Sequence, residues 1–107
     1  MKLTSTPPPP YYAVIFTSIK KQVADGYEKT AARMEFLAKE QAGFLGIESA
    51  RDGIGITVSY WQDEASILKW KQNLEHLMAQ QKGIKEWYSC YAVRVCKVER
   101  AYQFEGS

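Results

Sequence analysis

Phe44-Leu45-Gly46-Ile47-Glu48-Ser49-Ala50-Arg51-Asp52-Gly53-Ile54-Gly55-Ile56-Thr57-Val58-Ser59-Tyr60-Trp61 is the stretch on which the fold turns. β-branched and aromatic residues gather on both sides of Asp52-Gly53, a dipeptide that supplies the positive backbone φ values of a tight hairpin turn. Two antiparallel strands are predicted, over residues 44–51 and 55–61.

Helical periodicity flanks this hairpin. Upstream, Tyr27, Ala31, Met34, Ala38 and Gln41 recur at helical spacing with Leu37 beside them. Asp25 and Glu28 form a capping-box-like start and Gly43 a stop, so a helix is predicted over about 27–41. Downstream, Asp63 can cap a second helix whose Ile67, Trp70, Leu74 and Leu77/Met78 make an apolar stripe. Gly83 ends that helix, and a short helical turn is expected around 85–88.

Strands close the pattern at both ends. Residues 11–18, Tyr-Tyr-Ala-Val-Ile-Phe-Thr-Ser, are apolar on both faces, as in a central, doubly covered strand. Residues 91–104 read as the last strand, with Val93 and Val95 on one face and Cys96 and Val98 on the other. The order β-α-β-β-α-β predicts an α+β, ferredoxin-like fold, an antiparallel four-stranded sheet with both helices on one face. The other face is left bare and apolar, so a second copy is expected to cover it as a homodimer. The long last strand could reach over that partner.

A chain of 107 residues, 46% hydrophobic and 24% charged, suits one compact domain, here residues 11–104. Residues 1–10 hold all four prolines and read as an extended polyproline arm, a solvated tail in the simplest case. Seven Tyr, four Phe and three Trp exceed what one small core needs, which points to a lined cavity or a buried interface. A net charge of +2 without a dense basic run argues against nucleic acid. No apolar run approaches the ~20 residues of a membrane span, and the first twelve residues lack a signal-peptide core, so a cytoplasmic location is expected. Cys90 and Cys96 lie six apart on one strand, too far for a disulfide; they should be free thiols, and with a single His no metal site is expected.

Three residues are candidates for chemistry. Histidine has the ordinary pKa that suits a general base near neutrality, and His76 is the only one. On a continuous helix it points away from the apolar stripe, unless a break near Asn73 turns it inward. Trp70 lies in the stripe, where it either packs the core or roofs a cavity and offers a flat ligand an aromatic face and one N–H. Arg94 lies between Val93 and Val95 and needs a partner for its planar donors, either Glu48 or Glu99 or an anionic ligand. Ser-His-Asp order, phosphate-cradling glycines and paired carboxylates are absent from the sequence.

The segments 12–18, 43–51, 57–61, 70–76 and 87–102 together resemble the antibiotic-biosynthesis monooxygenase (ABM) domain proteins of the dimeric α+β barrel superfamily, over about residues 10–104. The resemblance implies one of two chemistries. One group oxygenates aromatic polyketide-like substrates without metal, flavin or haem, inside a cavity between helices and sheet, and would place Trp70 on the cavity wall. The asparagine that those enzymes carry one helical turn before the tryptophan is Ser66 here. The other group binds and degrades haem, with an axial histidine about ten residues after the tryptophan and an asparagine on the first strand. In this sequence those positions hold Gln80 and Thr17-Ser18, and His76 comes six residues after Trp70.

The leading expectation is a homodimeric, cofactor-independent monooxygenase acting on a small aromatic or phenolic compound. Trp70 walls its pocket, His76 is the base and Arg94 stabilises an enolate or phenolate. Its alternatives are a haem-binding or haem-degrading protein and a non-catalytic dimer that binds a small molecule.

Overall fold

Alternation and helical spacing in the chain give six elements in a computed structural model that describes residues 2–22, 26–80 and 87–106, with backbone only for 78–80. They are β1 (Tyr11–Lys20), α1 (Tyr27–Lys39), β2 (Phe44–Asp52), β3 (Ile54–Trp61), α2 (Glu64–Gln80) and β4 (Tyr88–Val98). The strands form one antiparallel sheet in the order β2-β3-β1-β4, the ferredoxin-like arrangement expected.

The hairpin is tighter than its sequence suggested. Asp52 pairs directly with Ile54, and Gly53 alone takes a positive φ of 80°. Glycine carries that conformation without the Cβ penalty another residue meets. The N-cap of α1 is Gly26, with no side-chain cap, and Asp25, on which the expected capping box rests, lies outside the described residues. At α2, in contrast, Asp63 Oδ1 accepts from both the backbone N–H and the hydroxyl of Ser66 (2.8 and 2.7 Å). Those two bonds hold the Asp63 carboxyl below its ordinary pKa.

The last strand corrects the sequence reading at both ends. It begins at Tyr88, inside the segment expected to be helical, because β1 runs on to Lys20 and offers Tyr88 a partner. It stops at Val98, opposite Tyr11, where β1 begins and the ladder runs out. Residues 99–106 form no strand, and Tyr102 and Phe104 stand in solvent.

Cross-strand partners share a face, so the register assigns every sheet side chain. Tyr12, Val14, Phe16 and Ser18 face the helices, with Trp61, Ser59, Thr57 and Gly55 beside them on β3. The core sits at one end of that face. Trp61 is fully buried and stacks on Trp70 of α2, rings 6.1 Å apart and 26° from parallel, while Phe44 meets it edge-on at 5.4 Å. Ala38 and Leu37 of α1, Ile67 and Leu74 of α2 and Val14 complete the cluster. The indole N–H of Trp61 donates to Ser59 Oγ at 2.9 Å, so this large side chain is buried without an unpaired donor.

The face away from the helices is only partly bare, because the proline-rich arm is docked on it rather than solvated. Thr4 N–H donates to Glu48 Oε2 (3.0 Å), Thr4 Oγ1 to the Ile47 carbonyl (3.1 Å) and Thr6 Oγ1 to the Tyr11 hydroxyl (2.9 Å). Tyr60 donates to the other Glu48 oxygen at 2.9 Å. Tyr11 and Ala13 are buried on this face, while Ile19, Ile54 and Ile56 at its other end remain exposed.

Partial burial and the Glu48 carboxylate push the Tyr60 phenol up to about 12. Its folded pKa lies above its unfolded one, so its stabilising contribution is intact below pH 10 and is lost as pH rises from 10 through 12. Tyr60→Phe should therefore flatten the alkaline fall in stability across that window in urea titrations. It should also remove one late-titrating component of the 295 nm phenolate absorbance, the one belonging to Tyr60. An unchanged alkaline limb would mean that the Glu48 bond does not persist in solution.

Candidate functional site

Four rows of side chains cross the helix face. The first, Phe44–Trp61–Tyr12–Lys97, lies under the tryptophan stack, and the last is Arg51–Gly55–Ser18–Tyr91. Between them run Ile47–Ser59–Val14–Val95 and Ser49–Thr57–Phe16–Val93. Six residue steps along β1, from Tyr12 to Ser18, separate the first row from the last, roughly 20 Å at strand rise.

Helix-to-sheet contact concentrates on β2 and β3, which leaves the β1–β4 side of this face thinly covered. Val93 and Val95 are 52% and 50% exposed although they point to the helix side, and Tyr91 is 53% exposed. Phe16 lies among aromatic neighbours there, with Tyr88 at 5.5 Å edge-on and Tyr91 at 5.4 Å. The strip is apolar and aromatic, reaches solvent and is bounded at its two ends by different chemistry.

At the core end stands Trp70, 9% exposed. Among the described residues its indole nitrogen has no hydrogen-bond partner, yet no fully occluded side-chain nitrogen or oxygen there lacks one. The N–H is therefore not sealed away. At the opposite end Arg51 reaches across β3: Nη2 donates to Ser18 Oγ (2.6 Å) and lies 3.4 Å from the Tyr27 hydroxyl, and Nη1 lies 3.4 Å from the Ser18 carbonyl. It can cross because residue 55 is glycine; a Cβ there would run into the guanidinium. Tyr27 also meets Trp87 and Tyr88 edge-on. Burial, then the neighbouring Tyr27 hydroxyl, raise the Tyr88 phenol above its ordinary pKa against the opposing pull of Arg51. It stays a neutral hydroxyl at physiological pH.

The three residues singled out from sequence do not meet in one chain. Trp70 borders the helix-face strip, whereas Arg94 pairs with Ile15 and so projects from the other face. Glu48 shares that row but stands three strands away, and both its oxygens are taken by Thr4 and Tyr60. His76 is exposed on α2, which runs unbroken through Asn73, so no kink swings the imidazole inward. The residues therefore do not fit haem in the manner the resemblance implied. Ser66, standing where the oxygenases carry asparagine, spends its hydroxyl on Asp63. Among the described residues no His, Cys, Asp and Glu cluster has the makings of a metal site, and no helix is long and apolar enough to cross a membrane.

Comparison with known proteins bears on the family and the fold. A sequence model of the antibiotic biosynthesis monooxygenase family matches residues 10–82. The chain is 53% identical over 105 residues to "Uncharacterized protein YqjZ" of Bacillus subtilis (strain 168), covering 96% of this chain and 92% of that protein. Among solved structures, SnoaB, a cofactor-independent oxygenase from Streptomyces nogalater, superposes with a TM-score of 0.70 at 11% identity, over 87% of this chain and 97% of that one. PA3566 from Pseudomonas aeruginosa gives 0.64 at 19% identity, over 94% and 100%. At these identities the structural likeness is one of fold.

The Arg51 crossing has a direct consequence. Gly55→Ala should destabilise the protein in urea unfolding, because the new methyl displaces the guanidinium from Ser18. In an Arg51→Ala background the same substitution should be neutral or stabilising, since the clash is gone and alanine is better ordered than glycine in a strand. The coupling expected is about 1 kcal/mol, the scale of the hydrogen bonds lost; additive effects would contradict the crossing.

Proposed function

The chain belongs to the antibiotic biosynthesis monooxygenase family, and on that premise we propose that it is a homodimeric, cofactor-independent monooxygenase for a small aromatic or phenolic compound. The observation that carries this reading is the half-exposed strip of Val93, Val95 and Phe16 on the helix face, next to an indole N–H without a protein partner among the described residues. A flat substrate laid there covers apolar surface and finds one donor for a ring oxygen.

The chemistry is carried by the substrate. An activated CH2 between aromatic rings loses a proton, and its delocalised carbanion gives electrons to dioxygen, forming a C–O bond and a peroxide. The peroxide takes up a proton. Loss of the second C–H proton then breaks the O–O bond, leaving a carbonyl and releasing water. One CH2 and one O2 thus become one C=O and one H2O. The protein's part is to orient the ring, to exclude water from the anion and to hold oxygen beside it. Trp70 is the wall in this reading. The roles expected of His76 as base and Arg94 as enolate partner find no support in their placement within one chain.

The face opposite the helices supports the homodimer. Ile19, Ile54 and Ile56 are exposed there beyond the docked arm, an apolar patch that a second copy would cover. A cytoplasmic setting belongs to the same reading, supported by two exposed free thiols, Cys90 and Cys96.

Oxygen-electrode measurements with anthrone-like and quinol-like compounds test the activity. Wild-type protein should consume oxygen, Trp70→Ala should lose about tenfold or more of the rate, and His76→Gln and Arg94→Gln should stay near wild type. No uptake above the Trp70→Ala control would leave a small-molecule binder without turnover as the better account.

A further inference from the structure

Two cations border the aromatic end of the helix face without an acidic partner among the described residues. Arg51 Cζ lies 5.8 Å and Lys20 Nζ 4.8 Å from the centroid of the Tyr27 ring, one on a strand-crossing side chain from β2 and one from the end of β1. Lys39 and Lys71, by contrast, each have a glutamate one helical turn away. All the acceptors that hold Arg51 are neutral: the Ser18 hydroxyl and carbonyl and the Tyr27 hydroxyl. They orient its plane and, among the described residues, no carboxylate pairs with its charge. A guanidinium carries five N–H donors, and these contacts do not use them all. Gly55 shows that the position is built, since the crossing exists only where β3 lacks a side chain.

We propose that Arg51, positioned by Ser18 and Tyr27 over Gly55 and assisted by Lys20, is the anion-binding end of the helix-face site, and that its ligand is an aromatic carboxylate. The inference deepens the site reading above and rests on it. Phe16, Tyr88 and Tyr91 supply ring surfaces that receive the aromatic part, and the planar guanidinium matches a carboxylate in two parallel hydrogen bonds. The neutral Tyr88 hydroxyl brings no competing negative charge to that end. A carboxylate seated there would direct the far edge of a fused ring system along the strip toward Trp70.

Equilibrium binding of 2-naphthoate and of its neutral isostere 2-naphthamide, followed by tryptophan fluorescence and calorimetry at low salt, separates the possibilities. Wild-type protein should prefer the carboxylate by about tenfold. Arg51→Gln should bring the two affinities together by weakening naphthoate alone, Arg51→Lys should restore part of the preference, and Lys20→Gln should reduce it by a smaller factor. Unchanged naphthamide binding shows that each variant is folded. Equal affinities in the wild type, or a preference that survives Arg51→Gln, would overturn the anion-binding role while the helix-face site stands. Failure of both probes to bind would overturn the site along with it.

Discussion

The stack of Trp61 on Trp70 is the contact that organises the molecule. It joins the last residue of β3 to the middle of α2, and Ala38 of α1 packs into the same cluster. A buried tryptophan contributes several kcal/mol, about 3–5 on truncation to alanine, so this pair anchors both helices at one end of the sheet. Because apolar contact is spent there, the β1–β4 side of the same face is left half exposed. In that sense the core and the candidate site are two consequences of one packing choice.

The two faces of the sheet then divide their tasks by residue parity. Even-numbered residues of β1 meet the helices and line the strip; odd-numbered ones meet the proline-rich arm or solvent. The arm is tied to Ile47, Glu48 and Tyr11 through Thr4 and Thr6, Glu48 also takes the Tyr60 hydroxyl, and the bare apolar patch lies at the isoleucine end. A dimer built on this face would leave the helix-face strip free for a ligand.

Much of this architecture was legible in the sequence because it depends on local rules. Asp52-Gly53 set the hairpin, Asp63 the start of α2, and the spacing of Ile67, Trp70 and Leu74 the packed stripe. The errors came where a distant partner decides. Residues 99–104 have strand-forming side chains, but β1 supplies nothing opposite them beyond Tyr11. Alternation separates Arg94 from its valine neighbours, yet alternation alone does not tell which face the helices take, and they take the valines'. Arg51 was missed because its meaning lies in Ser18, thirty-three positions away, and in the lack of a side chain at 55. A charged residue beside a turn gives no such hint; an arginine cross-strand from a strand-interior glycine was the available signal.

Whether small aromatic molecules bind on the helix face between Trp70 and Arg51 can be read from methyl NMR during titration with 2-naphthoate. The strands put different methyl groups on the two faces: Val14, Val93 and Val95 toward the helices, Ile15, Val58 and Ile56 away from them. Saturable shifts confined to the first three are expected if the site lies where the strip and the two tryptophans place it. Shifts centred on Ile15, Val58 and Ile56, with Val93 and Val95 unmoved, would put the ligand on the wrong face and contradict it.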